Sequence, residues 1–369
     1  MNPTRDAVII GAGIIGLSVA RKVARAGVRV TVIDRDEPGQ HASWAAAGML
    51  APQKESEGPG PLLSLMLRSR VLFPAFVSEL EAETGIAAGY RTEGMLRIAL
   101  DEEDAVRLEA RARWQLEAGL RVERLSGTEV RALEPAVARE ALGALYFADD
   151  HQIDNRQLTR AIHASAINAG VEFRCGSGVR MIEARSGSIC VKLENGEVIE
   201  AGTVVVAAGC WSGQIGGLPS PLPVEPVHGQ LLALEMAPPA LGYTLVSGDI
   251  YLVPRRDGRL LVGATSERVG FRRANTAGGM QRLTSAAVRL VPGLAERPVV
   301  SWWSGLRPAT PDGLPVLGED PAMPGVIYAT GHYRNGILLA PVTGELVGGL
   351  VAGDGGGEEL APFGVGRFR

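Results

Sequence analysis

Residues 7–16, AVIIGAGIIG, carry an apolar β-branched run straight into a glycine-rich turn and then into helix-forming residues. The run 7–10 reads as a buried strand, 14–26 as a helix ended by Gly27, and 28–33 (VRVTVI) as a second buried strand. Within this strand–helix–strand unit Gly11 makes the turn, Gly13 lets a pyrophosphate approach the backbone, and Gly16 allows the helix to pack closely. The phosphate charge then rests on the free amides and positive dipole end of the helix. Asp34 closes the second strand, where a carboxylate accepts hydrogen bonds from both ribose hydroxyls of an adenosine and repels a 2′-phosphate. A dinucleotide other than NADP is therefore predicted, and the fingerprint by itself does not choose between NAD and FAD.

Three further stretches favour a flavin. Behind Asp34, the residues Ala42, Ser43, Ala45, Ala46, Ala47 and Gly48 are small enough to admit a flat, wide group. The run 203–209 reads as a strand ending on small residues, Ala207, Ala208 and Gly209, at the nucleotide. Near the C-terminus VIYATG is again a strand running into glycine, and a helix beginning at Asn335-Gly336 aims its N-terminus over the sheet edge. Reduced flavin carries negative charge at N1 and the C2 carbonyl, which helix amides stabilise; a nicotinamide enzyme has no such need.

The length of 369 residues suggests two domains. Leu62, Leu65, Met66, Ser69, Leu72 and Phe73 fall on one helical stripe, and a charged helix is predicted over 101–118. Strands follow from 171 to 209 with a hairpin at Asn195-Gly196, then a hairpin at Asp257-Gly258 and a strand from 299, which together read as antiparallel sheet. The fold class is accordingly α/β and α+β, a Rossmann-like FAD-binding domain interleaved with an antiparallel-sheet substrate domain. The boundaries predicted are 1–85, 148–218 and 318–369 for the first, and 86–147 and 219–317 for the second.

A net charge of −4 with interleaved signs gives no footprint for nucleic acid. Cys175, Cys190 and Cys210 lack metal-ligand spacing and leave an odd thiol, so no metal is expected and the thiols read as reduced, mostly buried and cytoplasmic. Arg5 followed by the apolar stretch Ala7 to Ala20 imitates a short secretory signal, but the glycine spacing explains it better. The apolar stretch 336–353 contains Pro341 and Glu345 and reads as a buried helix, with no membrane partner.

Seven ordered segments, VIIGAGIIG, SWAAAGML, VVVAAGCWS, VHGQLL, IYLVPRRDGRLLVGAT, SGLRPATPDGLPVLG and GHYRNGILLAP, span nearly the whole chain. In them the chain resembles the D-amino acid oxidase superfamily of FAD-dependent amine oxidoreductases, and within it the glycine oxidases, flavoenzymes of thiamine biosynthesis. The resemblance implies FAD contacts at Ile14, Ile15, Asp34, Arg35, Ala42, Ser43, Ala47, Gly48, Met49 and Val179, and at His332, Tyr333, Arg334, Asn335, Gly336, Ile337 and Leu338. It implies that Arg307 pairs the substrate carboxylate, for which its planar fork is suited, with Tyr251 and Arg334 closing around it. Three departures near the expected pocket bear on the amine side: Ser266 where methionine often follows GAT, Asp249 where a histidine often precedes the tyrosine, and Ala51 where glycine occurs. No cysteine lies in the C-terminal flavin segment, so noncovalent FAD is expected.

The implied activity is oxidative deamination of glycine, sarcosine or small D-amino acids to oxo acid and ammonia, with O2 reduced to H2O2 and imine supplied for the thiazole of thiamine. No side chain is required as acid or base, because the amine lone pair drives hydride departure and orientation supplies much of the rate; His332 reads as structural. Family precedent implies a homotetramer. A D-amino acid dehydrogenase feeding a quinone, a flavin-binding protein without turnover, and an NAD dehydrogenase remain alternatives.

Overall fold

The computed structural model describes residues 6–236, 241–355 and 357–369, so Arg5 of the signal-like stretch lies outside the described residues. Strand Asp6–Ile10 sits in the middle of a six-stranded sheet, flanked in parallel by Arg29–Asp34 and Thr203–Val206 in the register Ala7↔Val30 and Ala7↔Thr203. Glu172–Cys175 extends one side and Val326–Thr330 the other, both parallel; Val316–Glu319 closes the edge antiparallel. The two faces are sorted by the period-two alternation of the strands. Ala7 and Ile9 pack with Leu17, Val19 and Val32 against the fingerprint helix Ile14–Arg25 and the helix Gly336–Ala352. Val8 and Ile10 pack on the opposite face with Ile182, Val191, Val204 and Val206.

That second face is covered by a three-stranded antiparallel sheet of Val179–Arg185, Ser188–Leu193 and Val198–Ala201. Of the strands read between 171 and 209, only these three are antiparallel. Glu172–Cys175 and Thr203–Val206 belong to the parallel sheet instead, and the unbroken apolar run TVVV, buried from Val204 to Val206, is what a strand covered on both faces requires. Cys175 at the edge of that sheet is exposed, while Cys190 and Cys210 are buried.

The second large sheet has eight strands, in the order Val299–Ala309, Glu225–Glu235, Arg259–Gly263, Ile250–Pro254, Thr244–Ser247, Met95–Ala99, Gly143–Phe147, Glu123–Ser126. Its pairings are antiparallel except Thr244–Ser247 with Met95–Ala99. One face, with Leu232, Leu234, Leu260 and Val262, packs on Leu283, Ala287 and Leu290 of helix Ala277–Leu290. The other face turns Leu231, Tyr251, Val253 and Trp303 toward Ala45, Ala47 and Ala51, the small-residue stretch that follows the fingerprint. The boundary expected at 317/318 runs through strand Val316–Glu319 of the parallel sheet.

Helix Pro61–Thr84 is long and apolar enough to cross a membrane by length and composition, yet its Leu65, Met66, Phe73, Val77 and Leu80 are buried in the core. Buried Ser69 donates to the Leu338 carbonyl at 2.5 Å and so ties this helix to the C-terminal one. In helix Gly336–Ala352 nearly every residue from Ile337 to Gly349 is buried, which accounts for its uniform hydrophobicity.

Candidate active site

A cavity of about 300 Å³ lies between the parallel sheet and the eight-stranded sheet. One end is walled by Gly11, Gly13, Ile14, Ile15, Asp34 and Arg35. The three glycines separate by what surrounds them. A side chain on Gly11 (φ +110°) would overlap the Ala207 carbonyl, and one on Gly16 would overlap the Gly11 carbonyl. At Gly13 the nearest atom is Ser43 Oγ at 3.5 Å, so this glycine borders open space. The fingerprint helix starts on Gly13 with no side-chain cap and no acid in its first turn, and Ile14 N–H donates to Ser43 Oγ at 2.9 Å. Asp34 is fixed by two amides: Ala12 N–H donates to Oδ2 at 2.6 Å and Asp36 N–H to Oδ1 at 3.0 Å. Burial pushes the Asp34 carboxyl up and those amides pull against it.

Ala42, Ser43, Ala47, Gly48 and Met49 also line the cavity, as do Val179 and Gly209. The 42–49 segment is pinned through its carbonyls from three directions. Asn155 Nδ2 donates to Ser43 O at 2.7 Å, Trp303 Nε1 to Ala45 O at 3.0 Å, and Arg255 Nη2 to Ala47 O at 2.8 Å. Arg255 also donates to Ile153 O at 2.8 Å, and burial lowers its guanidinium to about 10.

From the C-terminal segment His332, Tyr333, Arg334, Gly336 and Ile337 line the cavity. Helix Gly336–Ala352 begins at Asn335 without a side-chain cap, so a second positive helix end meets the cavity. Burial holds His332 down to about 3, and its Nε2 lies 3.1 Å from Thr343 Oγ1; the ring is a neutral structural group. Tyr333 takes a left-handed backbone (φ 48°), costly for an aromatic residue, and its N–H donates to Pro308 O at 2.8 Å beside Arg307. Two uncapped helix ends, a glycine facing open space and an amide-locked carboxylate fit a dinucleotide flavin: pyrophosphate at Gly13, ribose at Asp34, and the anionic edge of the ring at Gly336.

At the other end stand Tyr251, Arg307, Arg334 and Glu55. Glycines make the room: a side chain on Gly229 would overlap the Arg307 guanidinium, and one on Gly263 would come within 2.5 Å of the Tyr251 ring. Arg307 Nη1 donates to Thr265 O at 3.1 Å, and among the described residues no carboxylate lies within 4.0 Å of either Arg307 or Arg334. Burial lowers the Arg307 guanidinium, with the Tyr251 hydroxyl opposing and Arg334 adding to the shift. For Arg334, Glu55 and Tyr333 outweigh burial and raise it. Tyr251 is 5 % exposed, and burial raises its hydroxyl against the pull of both arginines. Two half-buried guanidinia with no carboxylate within 4.0 Å among the described residues are a charge arrangement suited to a carboxylate. No group of three or more His, Cys, Asp or Glu among the described residues could hold a metal.

Several expected residues stand outside the cavity wall. Gly16 packs on the Gly11 backbone, Asn335 accepts the Leu339 N–H at 2.8 Å, and Leu338 is core. Ala51, 1 % exposed, lies behind the wall among Ala45, Ala47 and Tyr251. Asp249 sits in the exposed turn between Thr244–Ser247 and Ile250–Pro254, because the strand that directs Tyr251 inward begins only after it. Ser266 is exposed at the rim, its Oγ 3.5 Å from the Tyr333 hydroxyl. Asp249 therefore does not shape the pocket, and Ser266 reaches it only through Tyr333.

Sequence reasoning missed Glu55, Arg255, Asn155 and Trp211. Trp211 lines the cavity with the Arg35 and Arg273 guanidinia each 5.1 Å from its ring centroid. Glu55 ends the four-residue helix Pro52–Glu55, too short for any periodic signal. Arg255 directly follows the apolar strand Ile250–Pro254, where the sequence carried no sign that it reaches back to the Ala47 and Ile153 carbonyls.

Residues 6–350 match the FAD dependent oxidoreductase family. The chain is 40 % identical over 358 residues to a bifunctional protein ThiO/ThiG of Synechocystis sp., covering 95 % of this chain and 52 % of that one; it spans about half the length of such relatives. It is 38 % identical over 369 residues to the glycine oxidase of Geobacillus kaustophilus, covering 98 % of this chain and 97 % of the relative. The crystal structure of glycine oxidase from Geobacillus kaustophilus superposes with a TM-score of 0.93 at 36 % identity, covering 98 % of each chain.

Proposed function

Because the chain belongs to the FAD dependent oxidoreductase family, we propose that it oxidises the carbon–nitrogen bond of glycine and other small amino acids or amines, sarcosine and small D-amino acids among them. The resulting imine is hydrolysed by water to oxo acid and ammonia, or methylamine from sarcosine, and O2 is reduced to H2O2. The observation that carries this reading is the pair of half-buried guanidinia, Arg307 and Arg334, at one end of the cavity with no carboxylate within 4.0 Å among the described residues. FAD, when bound, supplies the acceptor for the hydrogen and electron pair leaving the substrate carbon and passes the electrons to oxygen.

Arg307 takes the substrate carboxylate in a two-pronged contact, Arg334 adds a second cation, and the Tyr251 hydroxyl donates to the same group. Holding the carboxylate at one end fixes which carbon faces the cofactor, and orientation of this kind removes much of the barrier. His332 stays neutral at working pH and serves to position the 331–338 segment. No acid or base side chain is needed for the step. The cofactor is held noncovalently by Gly11, Gly13, Ile14, Ile15, Asp34, Arg35, Ala42, Ser43, Ala47, Gly48, Met49, Val179 and Gly209, and by His332, Tyr333, Arg334, Gly336 and Ile337. The likeness to ThiO/ThiG proteins supports a place in supplying imine for the thiamine thiazole, and family precedent supports a cytoplasmic homotetramer.

A peroxide-coupled screen of glycine, sarcosine and D- and L-amino acids on purified holoenzyme tests the reading. Peroxide with glycine or another small amine is expected. Flavin reduction without oxygen uptake would replace it by a dehydrogenase with another acceptor, and turnover by Arg307→Ala at unchanged KM would remove the carboxylate clamp.

A further inference from the structure

Pro52–Glu55 is four residues long, yet it is bolted from behind by buried polar side chains. Asp150, fully buried, accepts the Gln53 N–H at 3.2 Å and the Lys54 N–H at 2.9 Å. Gln53, also fully buried, donates to Gln115 Oε1 at 3.1 Å and to Arg121 O at 3.0 Å, and Gln115 Nε2 returns a bond to Gln53 O at 2.7 Å. Arg111 Nη1 donates to Gln53 O at 2.9 Å and to Ser56 O. Burying so many polar groups is costly unless all are satisfied, and a satisfied network of this kind fixes a backbone in one position. None of the four lines the cavity; what the segment presents there is Glu55.

Lys54 Nζ donates to Glu55 Oε1 at 2.6 Å, with the two side chains 10 % and 12 % exposed. Among the described residues Lys54 is the one side-chain donor to this carboxylate, which leaves Oε2 for a ligand. Burial would raise the Glu55 carboxyl, but Lys54, Arg334 and Arg307 overcome it and keep the group ionised. The other acids on the cavity wall, Asp34 and Glu194, belong to the adenosine end with Val179 and Arg35. The substrate end thus offers two cations with no carboxylate within 4.0 Å and one carboxylate with a free oxygen, the charge pattern complementary to a carboxylate with an amine on the neighbouring carbon.

We infer that Glu55 anchors the substrate amino group and makes the site choose an amino acid over the corresponding hydroxy acid. The inference rests on the proposed reading of Arg307 and Arg334 as the carboxylate receptor. A neutral amine held at Oε2 offers two N–H donors and keeps its lone pair for the oxidation, whereas a hydroxyl offers a single donor, so a carboxylate fixed at this place separates the two by geometry. Lys54 sets the rotamer of Glu55, and the Asp150–Gln53–Gln115 network sets its backbone.

The test uses FAD-loaded enzyme and two ligands that share a carboxylate. Glycine affinity is read from anaerobic stopped-flow flavin reduction, and glycolate affinity from the flavin absorbance change. In Glu55→Gln the glycine dissociation constant is expected to rise about tenfold or more while that of glycolate stays within about twofold. Glu55→Asp, which keeps the charge and shortens the reach, is expected to fall between wild type and Gln and serves if Gln does not fold. Equal losses for both ligands would show that Glu55 only balances Arg334 and would overturn the inference, as would unchanged glycine affinity. A wild-type enzyme that binds neither ligand overturns the carboxylate reading itself, and the role of Glu55 with it.

Discussion

The two ends of the cavity are built differently. The dinucleotide end is made of backbone: Gly11, Gly13, a bare helix end and one carboxylate locked by amides, all within 6–36 of the chain. The substrate end is made of side chains, Glu55, Tyr251, Arg307 and Arg334, brought from four elements far apart in sequence. Backbone geometry tolerates almost no change, whereas a side-chain site can lose function while the fold survives.

Gly11→Ala should show that intolerance at its largest. The added carbon meets the Ala207 carbonyl in a backbone region closed to alanine, so a loss of about 4 kcal/mol is expected and the purified chain should lack flavin absorbance. Retained flavin would break the contrast. At the other end Arg307→Ala should cost about 3 kcal/mol in kcat/KM, roughly a hundredfold, while the flavin spectrum and melting temperature stay near those of wild type. Loss of flavin in this variant would mean the ends are not separable.

Arg255→Met probes the junction, since this arginine links strand Ile250–Pro254 to the Ala47 and Ile153 carbonyls. Unbonding those buried carbonyls should lower stability by about 2 kcal/mol and loosen flavin together with substrate, as equilibrium denaturation and FAD titration would show. Asp150 gives a pH signature. Burial lifts its carboxyl from 3.8 to about 7, against the pull of the Gln53 and Lys54 amides. Because the folded value lies above the unfolded one, its contribution is full below pH 3.8 and is lost as pH rises through 7. Between pH 6 and 8 wild type should lose about 1 kcal/mol relative to Asp150→Asn, read from paired denaturation curves. The smallest effect belongs to Ser266→Ala at the rim, where KM should change less than about twofold.

The legibility of the two ends follows the same division. The fingerprint, Asp34 and the helix start at Gly336 were readable because each depends on neighbours within one strand–turn–helix unit. The small residues 42–48 were readable as room for something flat, but not the Asn155, Trp303 and Arg255 side chains that pin them. Arg307 was legible through the segment SGLRPATPDGLPVLG, whose family resemblance implies a carboxylate partner for its planar fork. Asp249 and Ser266, singled out as departures from the family pattern, lie outside the cavity wall, Asp249 in the exposed turn before Ile250 and Ser266 beside the Tyr333 hydroxyl, because the direction of a turn depends on tertiary packing.

By itself the sequence determined that a dinucleotide lies on the N-terminal strand–turn–helix unit and favoured FAD over NAD, since glycine stereochemistry carries the first and the helix start at Asn335-Gly336 the second. Only the tertiary structure decided which strands are parallel, and that Glu55 shares one end of the cavity with Arg307 and Arg334. Those facts depend on packing between segments hundreds of residues apart, where burial and partner, not residue type, decide what a charge does.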